Sequence, residues 1–120
     1  MRQTSTYYHG TVAAYLEGIA DEGLLPERGY VWVAGGEEAA LRWARFKALT
    51  LFEEFGQRSR PVVLRFEVAD DVVVEPDVTL DGEPVPDAFR APGLCVLPEE
   101  IEVRRGSGWH PLKRRKGRRT

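Results

Sequence analysis

Thr6-Tyr7-Tyr8-His9-Gly10-Thr11-Val12 is the stretch that decides the fold. Four β-prone residues run into Gly10-Thr11, and from Val12 onward Tyr15, Leu16, Ile19 and Ala20 recur at helical spacing. The stretch reads as strand, turn and helix, with His9 and Gly10 at the strand's end. Gly23 stands where a C-cap belongs, and Pro26 and Gly29 keep Leu24 to Gly29 from being helical.

Working outward, Tyr30 to Ala34 predicts a second strand, and Gly35-Gly36 turns the chain into a helix from Glu37 to about Phe55. Its first turn carries Glu37 and Glu38, where the helix dipole favours acids. Ala40, Trp43, Ala44, Lys47, Leu51 and Phe55 share one side, broadened by Ala39, Phe46, Leu49 and Phe52. Pro61 to Val68 alternates, with Val62, Leu64, Phe66 and Val68 on one face, and is the best strand in the chain. Val72 to Val74 reads as a short strand, Asp81-Gly82 as a hairpin turn, and Asp87 to Gly93 as a loop. Leu94 to Leu97 and Ile101 to Val103 are the last strand candidates. Helices near the front and strands behind predict an α+β domain.

A chain of 120 residues supports one domain that buries roughly two-thirds of its unfolded surface. The single cysteine, Cys95, excludes an intramolecular disulfide and a cysteine-based zinc site, and fits a reducing, cytoplasmic setting. No apolar run approaches about eighteen residues, and Met1 to Thr6 lacks a hydrophobic signal segment, so no membrane partner is expected.

Charge is divided unevenly. Residues 1–103 carry nine Lys/Arg against nineteen Asp/Glu, and residues 104–120 carry eight Lys/Arg and no acid. The expected organisation is a domain over 1–103 and a basic tail over 104–120, partly disordered. Arg114, Arg115, Arg118 and Arg119 there are candidates for contact with nucleic acid or an acidic protein. A merely solubilising tail is the alternative.

Taken in order, Tyr8-His9-Gly10-Thr11, the strand ending Trp32-Val33-Ala34, the helix carrying Trp43 and the late segment Pro98-Glu99-Glu100-Ile101 resemble the ADP-ribosyltransferase superfamily. The resemblance covers about residues 6–70 and 98–103. It implies a small fold of two mostly antiparallel sheets forming a cleft, with two main helices in the N-terminal half. It also implies NAD as co-substrate, held by His9, Gly10, Thr11, Trp32 and Trp43, and no metal. His9 would grip the ribose, Gly10 would offer backbone groups to the nicotinamide amide, and Trp43 would stack on the ring. Glu99, with Glu100 close behind, would be the catalytic glutamate beside the ribose. An inactive relative that keeps the fold as an interaction module is the alternative function.

The chemistry explains the residue types. Breaking the nicotinamide–ribose bond builds oxocarbenium-like charge, which a fixed carboxylate stabilises more in the transition state than in the ground state. Each residue also has a plainer role: a strand-ending turn needs a glycine, Trp32 and Trp43 suit a core, and Glu99 and Glu100 suit a solvated turn. The chain departs from the family where Leu97 stands two residues before Glu99, a place many members give to Glu or Gln. RNA 2′-phosphotransferases share the fold, but the second strand lacks the histidine expected of them near Val31 or Val33. His9 and His110, the only histidines, lie far apart in the chain and suggest no metal site.

Overall fold

A computed structural model describes residues 3–112. In chain order it contains β1 (Thr4–Val12), a 3-10 turn (Ala13–Tyr15), α1 (Leu16–Glu22), β2 (Tyr30–Ala34), α2 (Glu37–Phe55), β3 (Pro61–Ala69), β4 (Glu75–Val78), β5 (Pro84–Pro92), a 3-10 turn (Pro98–Glu100), β6 (Glu102–Arg105) and β7 (Gly108–Pro111). The architecture is α+β, as the sequence predicts. The described strands form one seven-stranded antiparallel sheet in the order β4-β5-β2-β1-β3-β6-β7, rather than two separate sheets.

β1 is the centre of that sheet, and its two edges differ. Toward β3 it pairs along its whole length, from Thr4 opposite Ala69 to Val12 opposite Pro61. Gly10 and Thr11, expected to break the strand, and Val12, expected to open a helix, instead continue it, and the helical segment starts only at Ala13. Toward β2 the register holds a single pair, Tyr8 opposite Ala34.

Alternation along β3 sends Val62, Leu64, Phe66 and Val68 to one face, where they pack with Val31, Val33, Ile101, Val103 and the Ala20 side of α1. Burying each such side chain stabilises the fold by about 1.5–3 kcal/mol. Val63 faces the other way, with Ala34, Ala39 and Ala40 under α2. Only small residues and Leu51 of α2 are buried: Ala39, Ala40, Ala44 and Leu51. The reason lies in β1. A Cβ on Gly10 would run into the Ala40 carbonyl oxygen and lie 2.7 Å from the Ala44 nitrogen, so helix and strand backbones meet where neither has bulk. Trp43 and Phe55, expected on the apolar side, and Phe46, Leu49 and Phe52, expected to broaden it, are exposed instead. α2 ends as expected at Gly56, left-handed at φ 68°, whose N–H donates to the Phe52 carbonyl.

Behind β3 several expectations need correction. Val72 to Val74 is not a strand: it follows a turn at Asp70-Asp71 closed by the Val72 N–H on the Ala69 carbonyl. Asp87 to Gly93 is no loop, because Ala88 to Pro92 complete β5 and pair with β2. That half of β5 is held by the buried Ala88 and Ala91 and by Phe89, whose ring meets Tyr7 edge-on. Leu94 to Leu97 contributes one bridge, Val96 to Leu24. The Asp81-Gly82 turn is present, with Gly82 at φ 83°.

The sheet also runs past residue 103, where the basic tail was expected to begin. β6 and β7 form a hairpin around Gly106, at φ 59°. Trp109 anchors it: the guanidiniums of Arg65 and Arg104 lie 4.4 and 5.4 Å from its ring, and Tyr8 packs at 5.9 Å. Arg104 also pairs with Glu37 at 2.9 Å. Arg114, Arg115, Arg118 and Arg119 lie outside the described residues.

Candidate functional site

β1 and β2 share only one ladder pair, and the His9 side chain reaches from β1 to the backbone of β2. Its Nδ1 lies 2.7 Å from the Trp32 carbonyl oxygen. A carbonyl only accepts, so Nδ1 carries the proton and Nε2 keeps a lone pair. The contact ties β1, three residues before its end, to the middle of β2.

A cavity of about 210 Å³ opens at this point, lined by Tyr8, His9, Gly10, Trp32, Val33 and Ala34 of the two strands. Ala40, Trp43 and Lys47 of α2, Ala88 and Phe89 of β5, and Glu27 complete the wall. A larger groove of about 560 Å³ adjoins it, sharing His9, Glu27 and Lys47 and continuing past Thr11, Tyr15 and Leu25 to Phe46, Glu54 and Phe55.

Four of the residues singled out from sequence therefore line one cavity: His9, Gly10, Trp32 and Trp43. Thr11 is buried and lines the adjoining groove. Trp43 is 42% exposed, which makes its ring a wall of the opening rather than core. Gly10 meets α2, so close helix packing alone accounts for the glycine.

Glu99 and Glu100 are not brought to this place. Both are exposed on the 3-10 turn, the Glu100 carboxylate accepts from the Leu97 N–H at 3.1 Å, and neither lines either cavity. The turn packs against the C-terminal end of α1, where Leu24 and Val96 exchange backbone hydrogen bonds.

Two charged residues in the wall were not singled out from sequence. Lys47 had a visible cue, a lysine set among Ala40, Ala44 and Leu51 on the apolar side of its helix. Glu27 had none. It is placed by a tight reversal in which Glu27 and Tyr30 exchange backbone hydrogen bonds across Arg28 and Gly29, both at positive φ.

Electrostatics set this wall apart. The His9 pKa is lowered to about 4, mainly by burial and then by the Lys47 charge, against an opposing pull from the Trp32 carbonyl. Lys47 is also lowered, by burial, with Glu27 pulling it back up. Near neutral pH the site offers a neutral imidazole acceptor, with a partly desolvated lysine, the exposed Glu27 and two indoles beside it. No group of three metal-ligating side chains occurs among the described residues.

No protein-family model, curated protein or solved structure matches the chain. No helix among the described residues is long and apolar enough to cross a membrane.

Proposed function

We propose that the chain binds NAD at the His9 cavity and transfers its ADP-ribosyl group to a macromolecule. One observation carries this: His9 and Gly10, Trp32, and Trp43 come from three separate segments yet line one cavity. In this reading the sparse β1–β2 pairing is the mouth of a cleft between two half-sheets.

The roles follow from the chemistry of the wall. Neutral His9 accepts at Nε2 a hydrogen bond donated by a ribose hydroxyl, Trp43 stacks on the nicotinamide ring, and Lys47 offers its charge to the diphosphate. Glu27, rather than Glu99 or Glu100, is the carboxylate placed to stabilise positive charge on the sugar. As the C1′–nitrogen bond breaks, its electron pair leaves with nicotinamide. The acceptor's nucleophilic atom bonds to C1′, and its proton passes to the Glu27 carboxylate.

Glu99 and Glu100, outside the cavity, favour a second reading in which the same site binds a nucleotide without transfer. Calorimetry with NAD on the full chain tests the first step. Binding by the wild type and its loss in His9→Ala and Trp43→Ala, both still folded by circular dichroism, is the expected outcome. No binding at millimolar NAD would remove the proposal. Where NAD binds, release of free nicotinamide that stops in Glu27→Gln separates transfer from binding alone.

A further inference from the structure

Along α2, Trp43, Phe46, Leu49, Phe52 and Phe55 follow one another at three-residue spacing, and all five are exposed, by 42, 59, 52, 42 and 73%. Over twelve residues the stripe is about 18 Å long. Each side chain follows the last by a little under one turn, so the stripe winds about 240° around the solvent side of the helix. Five large exposed apolar side chains in such a row mark an interaction site, and its composition indicates the partner.

Arg42 and Arg45 sit within the stripe's borders, one turn before Phe46 and Leu49 respectively and two turns before Leu49 and Phe52. Neither is paired with a carboxylate among the described residues. At the far end the Arg58 guanidinium lies 4.7 Å from the Phe52 ring centre, and Arg60 follows. Residues 42–60 carry four arginines and a lysine against Glu53 and Glu54, in a domain that is otherwise strongly acidic. Aromatic rings interleaved with guanidiniums suit a polyanion whose flat groups are unpaired. The stripe also leads into the site, since Trp43 lines the His9 cavity and Phe46 and Phe55 line the adjoining groove.

We infer that the exposed stripe of α2, Trp43 to Phe55 with Arg42 and Arg45, is a platform for single-stranded nucleic acid and delivers a strand to the His9 cavity. A duplex would present phosphates but hide its base faces, so a single strand is preferred. That the strand is the acceptor rests on the NAD proposal; that it binds does not.

Fluorescence anisotropy with labelled ten-nucleotide single strands of RNA and DNA, and with the matching duplexes, tests this on the full chain without NAD. Single strands bind more tightly than duplexes. Phe46→Ala weakens single-strand binding about five- to a hundredfold and leaves the salt slope unchanged. Arg42→Ala/Arg45→Ala lowers the slope of log affinity against log salt by about 1.4. Wild-type affinity in both variants would overturn the inference and assign any binding to the chain's other basic residues. So would a sedimenting wild-type dimer that Phe46→Ala dissolves without altering oligonucleotide binding, which would make the stripe a contact between copies. Failure here leaves NAD calorimetry unaffected, and failure of NAD binding leaves this result standing.

Discussion

The wall around His9 and the turn at Pro98–Glu100 are packed with equal economy, and only one of them is unusual electrostatically. At the first, Gly10 lets β1 meet the backbone of α2; at the second, Gly23, at φ 80°, lets the end of α1 meet the Val96 carbonyl. Yet His9 and Lys47 both have lowered pKa values in the first region, whereas the glutamates of the second are exposed to water. Close backbone approach is therefore a poor marker of function in this chain. Desolvated titratable groups beside open space are a better one.

The largest expected effects break the packing common to both regions. Gly10→Ala and Gly23→Ala each insert a Cβ against backbone that has nowhere to go, and Gly23 also holds a conformation that L residues rarely adopt. Urea denaturation is expected to show a loss of about 3 kcal/mol in each. The two then part company. Gly10→Ala displaces α2, which carries Trp43 and Lys47, and so disturbs the His9 cavity; Gly23→Ala disturbs α1 and the 98–100 turn. Equal losses of NAD binding in folded samples of both would erase the contrast.

The next test reads the electrostatic difference itself. With a pKa of about 4 in the fold and about 6.5 in the unfolded chain, His9 takes up a proton more readily when unfolded. Its contribution is fully present above pH 6.5 and is lost as the pH falls toward 4, by up to about 3 kcal/mol. His9→Gln should flatten the stability profile across that window. Lys47→Met should raise the His9 pKa, followed by the imidazole proton resonances, because a positive neighbour is removed. An unchanged His9 pKa would show that Lys47 does not act on the ring.

The same contrast explains what the sequence made legible. β2, α2 and β3 announce themselves through glycine breaks and clean periodicity, β1 only as far as His9, because Gly10 marks close approach to α2 rather than a break. The chain order of His9, Trp32 and Trp43 anticipates their convergence on one cavity. The back of the chain is different. β5 carries Pro84 and Pro86, which weaken the hairpin reading, and its second half reads as loop, yet Ala88, Phe89 and Ala91 hold the strand through partners distant in sequence. β7 was concealed among basic residues, because the stacking of Arg65 and Arg104 on Trp109 is a tertiary event. In α2, amphipathic spacing alone did not reveal which apolar side chains face out. That was settled by the absence of a side chain at Gly10, on another element. Glu27 entered the site through a backbone reversal, for which residue types give little warning.

The smallest expected effect is the sharpest test of where a carboxylate matters. Glu27 and Glu99 are both exposed, and only Glu27 lines the cavity, so Glu99→Gln is expected to change stability by no more than about 0.5 kcal/mol. On the proposed function it also leaves NAD binding and nicotinamide release as they are, while Glu27→Gln keeps binding within a few fold and slows release. The reverse result, release abolished by Glu99→Gln and indifferent to Glu27→Gln, would require the 98–100 turn to reach the His9 cavity when NAD is bound. The Leu24–Val96 bonds would then have to open, since they pin the start of that segment to the end of α1. Hydrogen exchange at Leu24 and Val96, with and without NAD, distinguishes the cases: steady protection keeps the carboxylate role with Glu27, and ligand-dependent loss returns it to Glu99.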